Sequence, residues 1–307
     1  MTDFAASAMI RLVRLAATRH GLAMPEPPPR GARYPLMEKR ALLGRMLADN
    51  GPEALLEIGQ AVDDAPDEPV HTALRMATDP LDLLARWRRL EQFIHSRHRT
   101  IVRFRSDRHI LLEHIAVPPH PAPTDAENLV VFGLLVALLD RLPSGAARVR
   151  FAGQGTWRRH RGAWPRGVPR QTASLEVQWT DASPRPPIGR REGDDAVALA
   201  RRALAEDPGR LWRLGALAER LGVPPRTLQR QLAAGGTTFS SLLSDVRLAT
   251  AARMLASTTQ PLAAIGYACG FSDQAHLTRE LRRSAALTPR AYRRLFGAAT
   301  EPGGARE

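Results

Sequence analysis

The sequence predicts an α+β N-terminal domain followed by an all-α C-terminal domain, in which two helix-turn-helix motifs are joined by a linker helix. Three observations carry this. A glycine followed by a Leu-x-Arg-x-Leu helix occurs twice, at 222–232 and 270–281. The hydrophobic period switches from helical to alternating near residue 100. A proline-rich run, Ser183 to Gly189, separates the two regions and suits no regular structure.

From the N-terminus, an apolar helix runs to about His20, and Pro25 to Pro29 break it from the next. Helical patterns follow at Leu36 to Asn50, Pro52 to Ala61, Val70 to Ala77 and Pro80 to Ser96, the last opened by Asp79 as a cap. Thr100 to Arg105 and His109 to Ile115, joined by Ser106-Asp107-Arg108, read as a β-hairpin. Pro118 to Pro123 is a loop and Asp125 to Arg141 a long buried helix, either the central helix of its domain or a dimer interface. Arg148 to Ala152 and Ser174 to Trp179 are two further strands. The expected boundaries are a domain at 1–182, a linker at 183–192, a DNA-binding domain at 193–298 and a disordered tail at 299–307.

In the C-terminal region each glycine ends one helix, where positive φ is favoured, and a Pro or Ser opens the next. Leu228 with Leu232, and Leu277 with Leu281, share one helical face, while Arg230 and Arg279 point to another. Ahead of each glycine runs a short helix of small and apolar residues, Leu214 to Leu221 and Leu262 to Cys269. Between the copies, Thr237 to Thr258 keeps an uninterrupted helical pattern. Two such helices on one rod can enter successive major grooves, about 34 Å apart.

The run Leu-Ala-Glu-Arg-Leu-Gly-Val-Pro-Pro-Arg-Thr-Leu-Gln-Arg, then Phe239, Arg247, Ala252 and Leu255, then Gly270 to Arg279 and Thr288-Pro289-Arg290-Ala291-Tyr292-Arg293, resembles the AraC/XylS family of bacterial transcription regulators. The resemblance covers Leu211 to Arg294, roughly a third of the chain. It implies a seven-helix DNA-binding unit, double-stranded DNA as partner, RNA polymerase as a further partner, and an N-terminal domain that binds a small-molecule effector, forms a homodimer, or both. The N-terminal half is too helical for the cupin-type sensor and looks more like the family's α+β sensor type. The sequence departs from the family pattern at Leu277 and Leu281, where phenylalanine is usual, and at Ala286, where a glycine is usual.

On the first reading helix, Arg226, Gln229 and Arg230 lie opposite the leucines beside Thr227. Arg suits bidentate bonds to guanine and Gln to adenine, with phosphate contact alone as the alternative. In the second copy the resemblance places Gln274, Ala275 and Arg279 toward the groove, with Asp273 and His276 near the helix start. Asp273 suits a cap better than an approach to phosphate, since two anions repel. Arg279 fits a salt bridge on the Glu280 face as well as a phosphate contact.

With 307 residues, a formal charge of +13 and a pI near 11.3, the chain favours a polyanionic partner. The basic excess is spread along the chain, net +6 from Gly193 onward and +7 before it. The single cysteine, Cys269, excludes an internal disulfide, fits a reducing cytoplasm and sits on an apolar face. No signal-peptide pattern opens the chain, and the longest apolar run, Leu129 to Leu139, is far short of the ~20 residues of a membrane span. No cofactor or metal is expected: His95 with His98, and His109 with His114, lack a third ligand, and His114 suits a hydrogen-bonded core position. The segment Trp157 to Arg161 with Trp164, Arg166 and Arg170 reads as a solvated loop, with an anionic-effector or interdomain contact and extra DNA contact as alternatives.

Nothing points to an enzyme: there is no Gly-x-Ser-x-Gly elbow and no glycine-rich phosphate loop with lysine. Two functions fit. One is a regulator controlled by a small molecule; the other is a constitutive or architectural DNA binder whose N-terminal half only dimerises or recruits a partner.

Overall fold

The computed structural model describes residues 4–19, 33–63, 69–94, 97–142, 147–158, 161–164, 171–180 and 196–297. The linker and tail expected at 183–192 and 299–307, the Pro25–Pro29 break, His95, His160, Arg166 and Arg170 lie outside these residues. The chain divides into two compact units, residues 1–65 with 74–186, and residues 66–73 with 187–307. Grouping 66–73 with the C-terminal unit has no counterpart in the sequence pattern, where that segment lies within the N-terminal half.

Unit 1 opens with strand β1 (Phe4–Ala6) and helix α1 (Ser7–Arg19), and β1 pairs antiparallel with β2 (Arg33–Pro35). Both three-residue strands are too short to show an alternating pattern, so only the helix is legible in the sequence. Helix α2 (Leu36–Glu57) is broken at Gly51, whose φ of 78° interrupts the helical run before Pro52. The expected helical pattern to Ala61 ends instead in a 3-10 turn, Ile58–Asp63. Helix α3 (Pro69–Arg75) straddles the division between the units. Helix α4 (Pro80–Ile94) is opened by Asp79, whose carboxylate accepts from the Leu81 and Asp82 amides at 2.9 Å each.

The period-2 segments form one antiparallel sheet, in the order β3 (His98–Arg105), β4 (His109–Ala116), β6 (Ser174–Trp179), β5 (Ala147–Phe151). Alternation fixes which face is buried: Ile110, Leu112, Val149, Phe151, Leu175 and Val177 point inward, whereas Arg148 and Glu176 point outward. Helix α5 (Asp125–Leu139) is buried on all sides from Ala126 to Leu139, with Phe132 edge-on to Phe151 at 6.0 Å. It serves as the central helix of the unit. Its approach to the 3-10 turn requires glycines: a Cβ on Gly59 would stand 2.3 Å from the Gly133 carbonyl oxygen, and one on Gly133 would stand 2.4 Å from that of Leu56.

At Trp157 and Arg158 the structure corrects the solvated-loop expectation. Arg158 exchanges two backbone hydrogen bonds with Val149, at 2.9 and 2.7 Å, and its buried guanidinium pairs with Asp140 at 2.8 Å. Trp157 is flanked by the guanidinium groups of Arg148 and Arg150, 4.9 and 4.4 Å from its ring centre. Arg158 therefore forms an isolated antiparallel bridge on the β5 edge.

In unit 2, residues 196–297 hold seven helices: α6 (Ala196–Glu206), α7 (Leu214–Arg220), α8 (Pro225–Ala234), α9 (Phe239–Ser257), α10 (Leu262–Ala268), α11 (Gln274–Ala285) and α12 (Pro289–Phe296). Leu204, Trp212, Leu217, Leu228, Leu232, Leu242 and Val246 form one buried cluster that joins α6, α7, α8 and the first half of α9. Leu255, Ile265, Phe271, Leu277, Leu281, Tyr292 and Phe296 are buried around the second half. Within this unit the Tyr292 hydroxyl donates to the Pro69 carbonyl at 2.7 Å.

Candidate nucleic-acid interface

The two helix pairs of unit 2 close with the same hydrogen bonds. After α7, the Gly222 amide donates to the Glu219 carbonyl at 3.1 Å and the Val223 amide to that of Ala218 at 3.0 Å. After α10, the Gly270 amide donates to the Tyr267 carbonyl and the Phe271 amide to that of Gly266, both at 2.9 Å. Gly222 and Gly270 take φ of 67° and 77°, the left-handed conformation that this helix ending needs and that a side chain penalises. The repeat seen in the sequence is thus a repeat of backbone geometry.

Helix α8 starts on Pro224 and Pro225, which supply a fixed φ where no amide donor is needed. Leu228 and Leu232 fix its rotation by sitting in the core. Arg226, Gln229 and Arg230 are consequently exposed on the opposite side, and Thr227 is half-buried at the edge. Ala233 continues the exposed face one turn further, a small residue that residue chemistry alone had no reason to single out.

Helix α11 is capped by Asp273, not by the preceding Ser272: the Asp273 carboxylate accepts from the His276 amide at 2.6 Å. That hydrogen bond holds the carboxyl below its usual pKa range. Gln274, Ala275 and Arg279 are exposed. The Glu280 carboxylate pairs with Arg283. His276 is half-buried, with its ring edge-on to Phe271 at 5.3 Å and its Nδ1 3.2 Å from the Ser272 hydroxyl. These contacts hold its ring against the turn. Arg282, exposed one turn beyond Arg279, extends the cationic face and was not among the sequence-derived readers.

The departures from the family pattern are accommodated locally. Leu277 and Leu281 are fully buried, and Tyr292 and Phe296 meet edge-on at 4.9 Å in the adjoining core. Ala286 itself takes the left-handed conformation (φ 58°, ψ 16°) that a glycine would adopt freely, and Thr288 then caps α12. Cys269 is buried, and burial pushes its thiol up to about 11, away from reactivity.

Unit 1 holds a buried polar cluster among helices α2 and α5 and strands β3 and β4. Glu127 closes a capping box with Thr124 and pairs with Arg40 at 3.2 Å and Lys39 at 3.8 Å. His98 lies edge-on to His114 at 5.3 Å, and His114 meets Asn128 at 2.8 Å. Burial lowers the Lys39 ammonium to about 8, against the opposing pull of Glu127. Of this cluster the sequence singles out only His98 and His114, because nothing in local pattern pairs Lys39 with Glu127, far apart in the chain. Among the described residues, no group of three or more His, Cys, Asp or Glu side chains is placed to hold a metal ion, and no helix is long and apolar enough to cross a membrane.

A seven-helix bundle with two helix pairs on one connecting helix defines a class of DNA-binding module, and residues 217–295 match the model of a helix-turn-helix domain. The relatives place it more closely. The regulator VirS of Mycobacterium tuberculosis is 43% identical over 101 residues, 33% of this chain and 29% of that protein. The activator RhaS of Pectobacterium carotovorum is 38% identical over 80 residues, 26% of this chain and 29% of that protein. The ornithine utilization regulator of Pseudomonas aeruginosa is 36% identical over 97 residues, 32% of this chain and 29% of that protein. The C-terminal domain of this chain is an AraC-type helix-turn-helix domain. Among solved structures, an AraC-type regulator from Chromobacterium violaceum superposes with a TM-score of 0.32 at 28% identity, covering 35% of this chain and 95% of that one. The aligned stretch spans less than a third of each of the three sequence relatives.

Proposed function

We propose that this protein is a cytoplasmic, sequence-specific transcription regulator in which both helix pairs act as helix-turn-helix readers of double-stranded DNA. The observation that carries this is the pair of identically closed helix turns on α9, each presenting an exposed cation-and-amide face. Arg226, Gln229 and Arg230 of α8 read base edges, with Thr227 at the edge of the same face. Gln274, Ala275 and Arg279 of α11 do the same in the neighbouring groove, and His276 approaches at the helix start. Residues 193–298 form the reading domain. Residues 1–182 bind a small-molecule effector or form the homodimer contact, and DNA-bound protein acts through RNA polymerase. Support for the regulatory role comes from the names of VirS and RhaS as a regulator and an activator.

Footprinting on duplex DNA from the region upstream of its own gene tests this directly. Two protected major-groove segments one helical turn apart are expected. Binding left intact by both Arg226→Ala and Arg230→Ala would remove α8 as a reader. A thermal shift on adding a metabolite panel separates the effector-controlled reading from a constitutive binder, since a ligand selective for the folded state raises the melting temperature.

A further inference from the structure

Arg247 lies midway along α9, next to Val246 of the first core cluster. Its Nε donates to the Pro208 carbonyl at 2.9 Å and its Nη2 to the Arg210 carbonyl at 3.0 Å. Those carbonyls belong to the loop between α6 and α7, which is fastened to the first half of the domain. Trp212 is buried in that core, donates from its indole to the Asp207 carbonyl at 2.8 Å, and stacks under Arg210 at 4.6 Å. The same guanidinium fills the space under the second turn: a Cβ on Gly270 would stand 2.6 Å from its Nε. The loop also touches the second half on its own account, since a Cβ on Gly209 would stand 2.8 Å from the Ala268 carbonyl oxygen. Three segments meet here with no room for one further carbon.

We infer that Arg247 is a positioning residue that clasps the two helix pairs together and so sets the separation and angle of the two reading helices. The inference rests on the reading of both pairs as DNA readers. The connecting helix fixes where the first pair ends and the second begins. The clasp adds a direct tie between the α6–α7 loop and the turn after α10. The guanidinium is suited to the task because its planar fork reaches two carbonyls at once while its flat face lies under Gly270, which an ammonium cannot do. The cation also lies under Gly270, just past the C-terminal end of α10, where positive charge is favoured. Arg247 need not touch DNA to do this.

A preorganised pair of readers gains from binding both segments of a site, because the second contact becomes intramolecular. Loss of the clasp removes that gain and spares each contact by itself. The test uses the full chain and duplexes selected from a random pool, with one or both protected segments intact. Arg247→Ala is expected to weaken binding to the two-segment duplex about tenfold and to change binding to either single segment less than about twofold. Wild-type affinity falls when the segments are moved one base pair apart, and Arg247→Ala flattens that dependence. Arg247→Lys restores folding charge and volume but little of the spacing dependence. Equal losses on single-segment and two-segment duplexes would overturn the proposal and make Arg247 a phosphate contact or a fold residue. If the wild type gains nothing from a second segment, the two-reader function itself fails.

A DNA-free measurement keeps the two failures apart. Spin labels at Ala233→Cys and Arg282→Cys, both exposed positions, report the separation of α8 and α11, while buried Cys269 stays unlabelled. One narrow distance is expected with Arg247 present, and a broadened or shifted one in Arg247→Ala and Arg247→Lys. Distributions that coincide would overturn the clasp whatever the DNA results.

Discussion

His114 Nδ1 stands 2.8 Å from Asn128 Oδ1, and this one contact orders a chain of side chains under the sheet. Asn128 turns its amide nitrogen to the Thr172 hydroxyl at 2.9 Å, and Thr172 in turn donates to Asp125. With the amide oriented this way, the network assigns the proton to His114 Nδ1. The histidine is satisfied as a neutral ring, and burial lowers its pKa to about 3. Neighbouring His98 is lowered as well, first by burial, despite the pull of Glu127.

The pH dependence of unit 1 follows from those shifts. Both histidines have folded-state pKa values below the unfolded value near 6.5, so the unfolded chain binds more protons as pH falls. Stability is full above about pH 6.5 and declines below it, by up to about 1.4 kcal/mol per pH unit for each histidine. Urea unfolding followed by the fluorescence of buried Trp87 should show a lower midpoint at pH 5 than at pH 7, and His114→Gln should reduce the difference. Equal midpoints in the wild type would contradict the buried neutral assignment.

Arg158 and Asp140 give a second prediction. Both are largely buried and pair at 2.8 Å, and the Asp140 carboxylate also accepts from the Arg161 amide at 3.0 Å. Removing one partner leaves a buried charge uncompensated, which costs about 3–5 kcal/mol. Asp140→Ala should therefore lower the urea midpoint of unit 1 sharply. A change no larger than that of an exposed control such as Asp107→Ala would show that the pair is dispensable.

Ala286 predicts a gain. It holds a left-handed conformation that costs an alanine about 1–2 kcal/mol, while glycine adds back roughly 0.5–1 kcal/mol of unfolded-state entropy. Ala286→Gly should stabilise the reading domain by a few tenths to about 1 kcal/mol, visible as a raised melting temperature. The side chain is exposed, so no packing is lost. A lowered melting temperature would mean that the turn is not strained.

Arg226 and Arg230 separate base reading from phosphate binding. Arg226→Ala that removes a bidentate guanine contact should cost about 1–3 kcal/mol and relax preference at one base pair. A phosphate contact instead weakens all sequences alike and lowers the salt slope by about one. Binding measured on selected and scrambled duplexes at several salt concentrations distinguishes these. Because both side chains are exposed, the folding transition should stay unchanged.

Much of this protein is legible from local pattern. The hairpin, the two flanking strands, helix α5 and the paired helix turns all follow from period, caps and glycine placement, since these act within a few residues of the chain. Asp79 and Asp273 act as caps for the same reason. The exposed faces of α8 and α11 follow from the leucines that must be buried. The resemblance to a known family supplied what these faces are for.

Other features depend on residues far apart in the chain. No pattern in the sequence pairs Glu127 with Lys39, yet they are buried against each other, and Arg158 reads as part of a solvated loop and is buried on Asp140. The pairing energy that keeps a charge inside comes from a partner that sequence position does not reveal. The sequence by itself determined the two-part plan, the repeated helix turn and the side chains each reading helix presents, because these are set by local backbone preference and helical period. Only the tertiary structure decided that Arg247 stands between the Pro208 and Arg210 carbonyls and Gly270, because that meeting needs three segments folded onto one another.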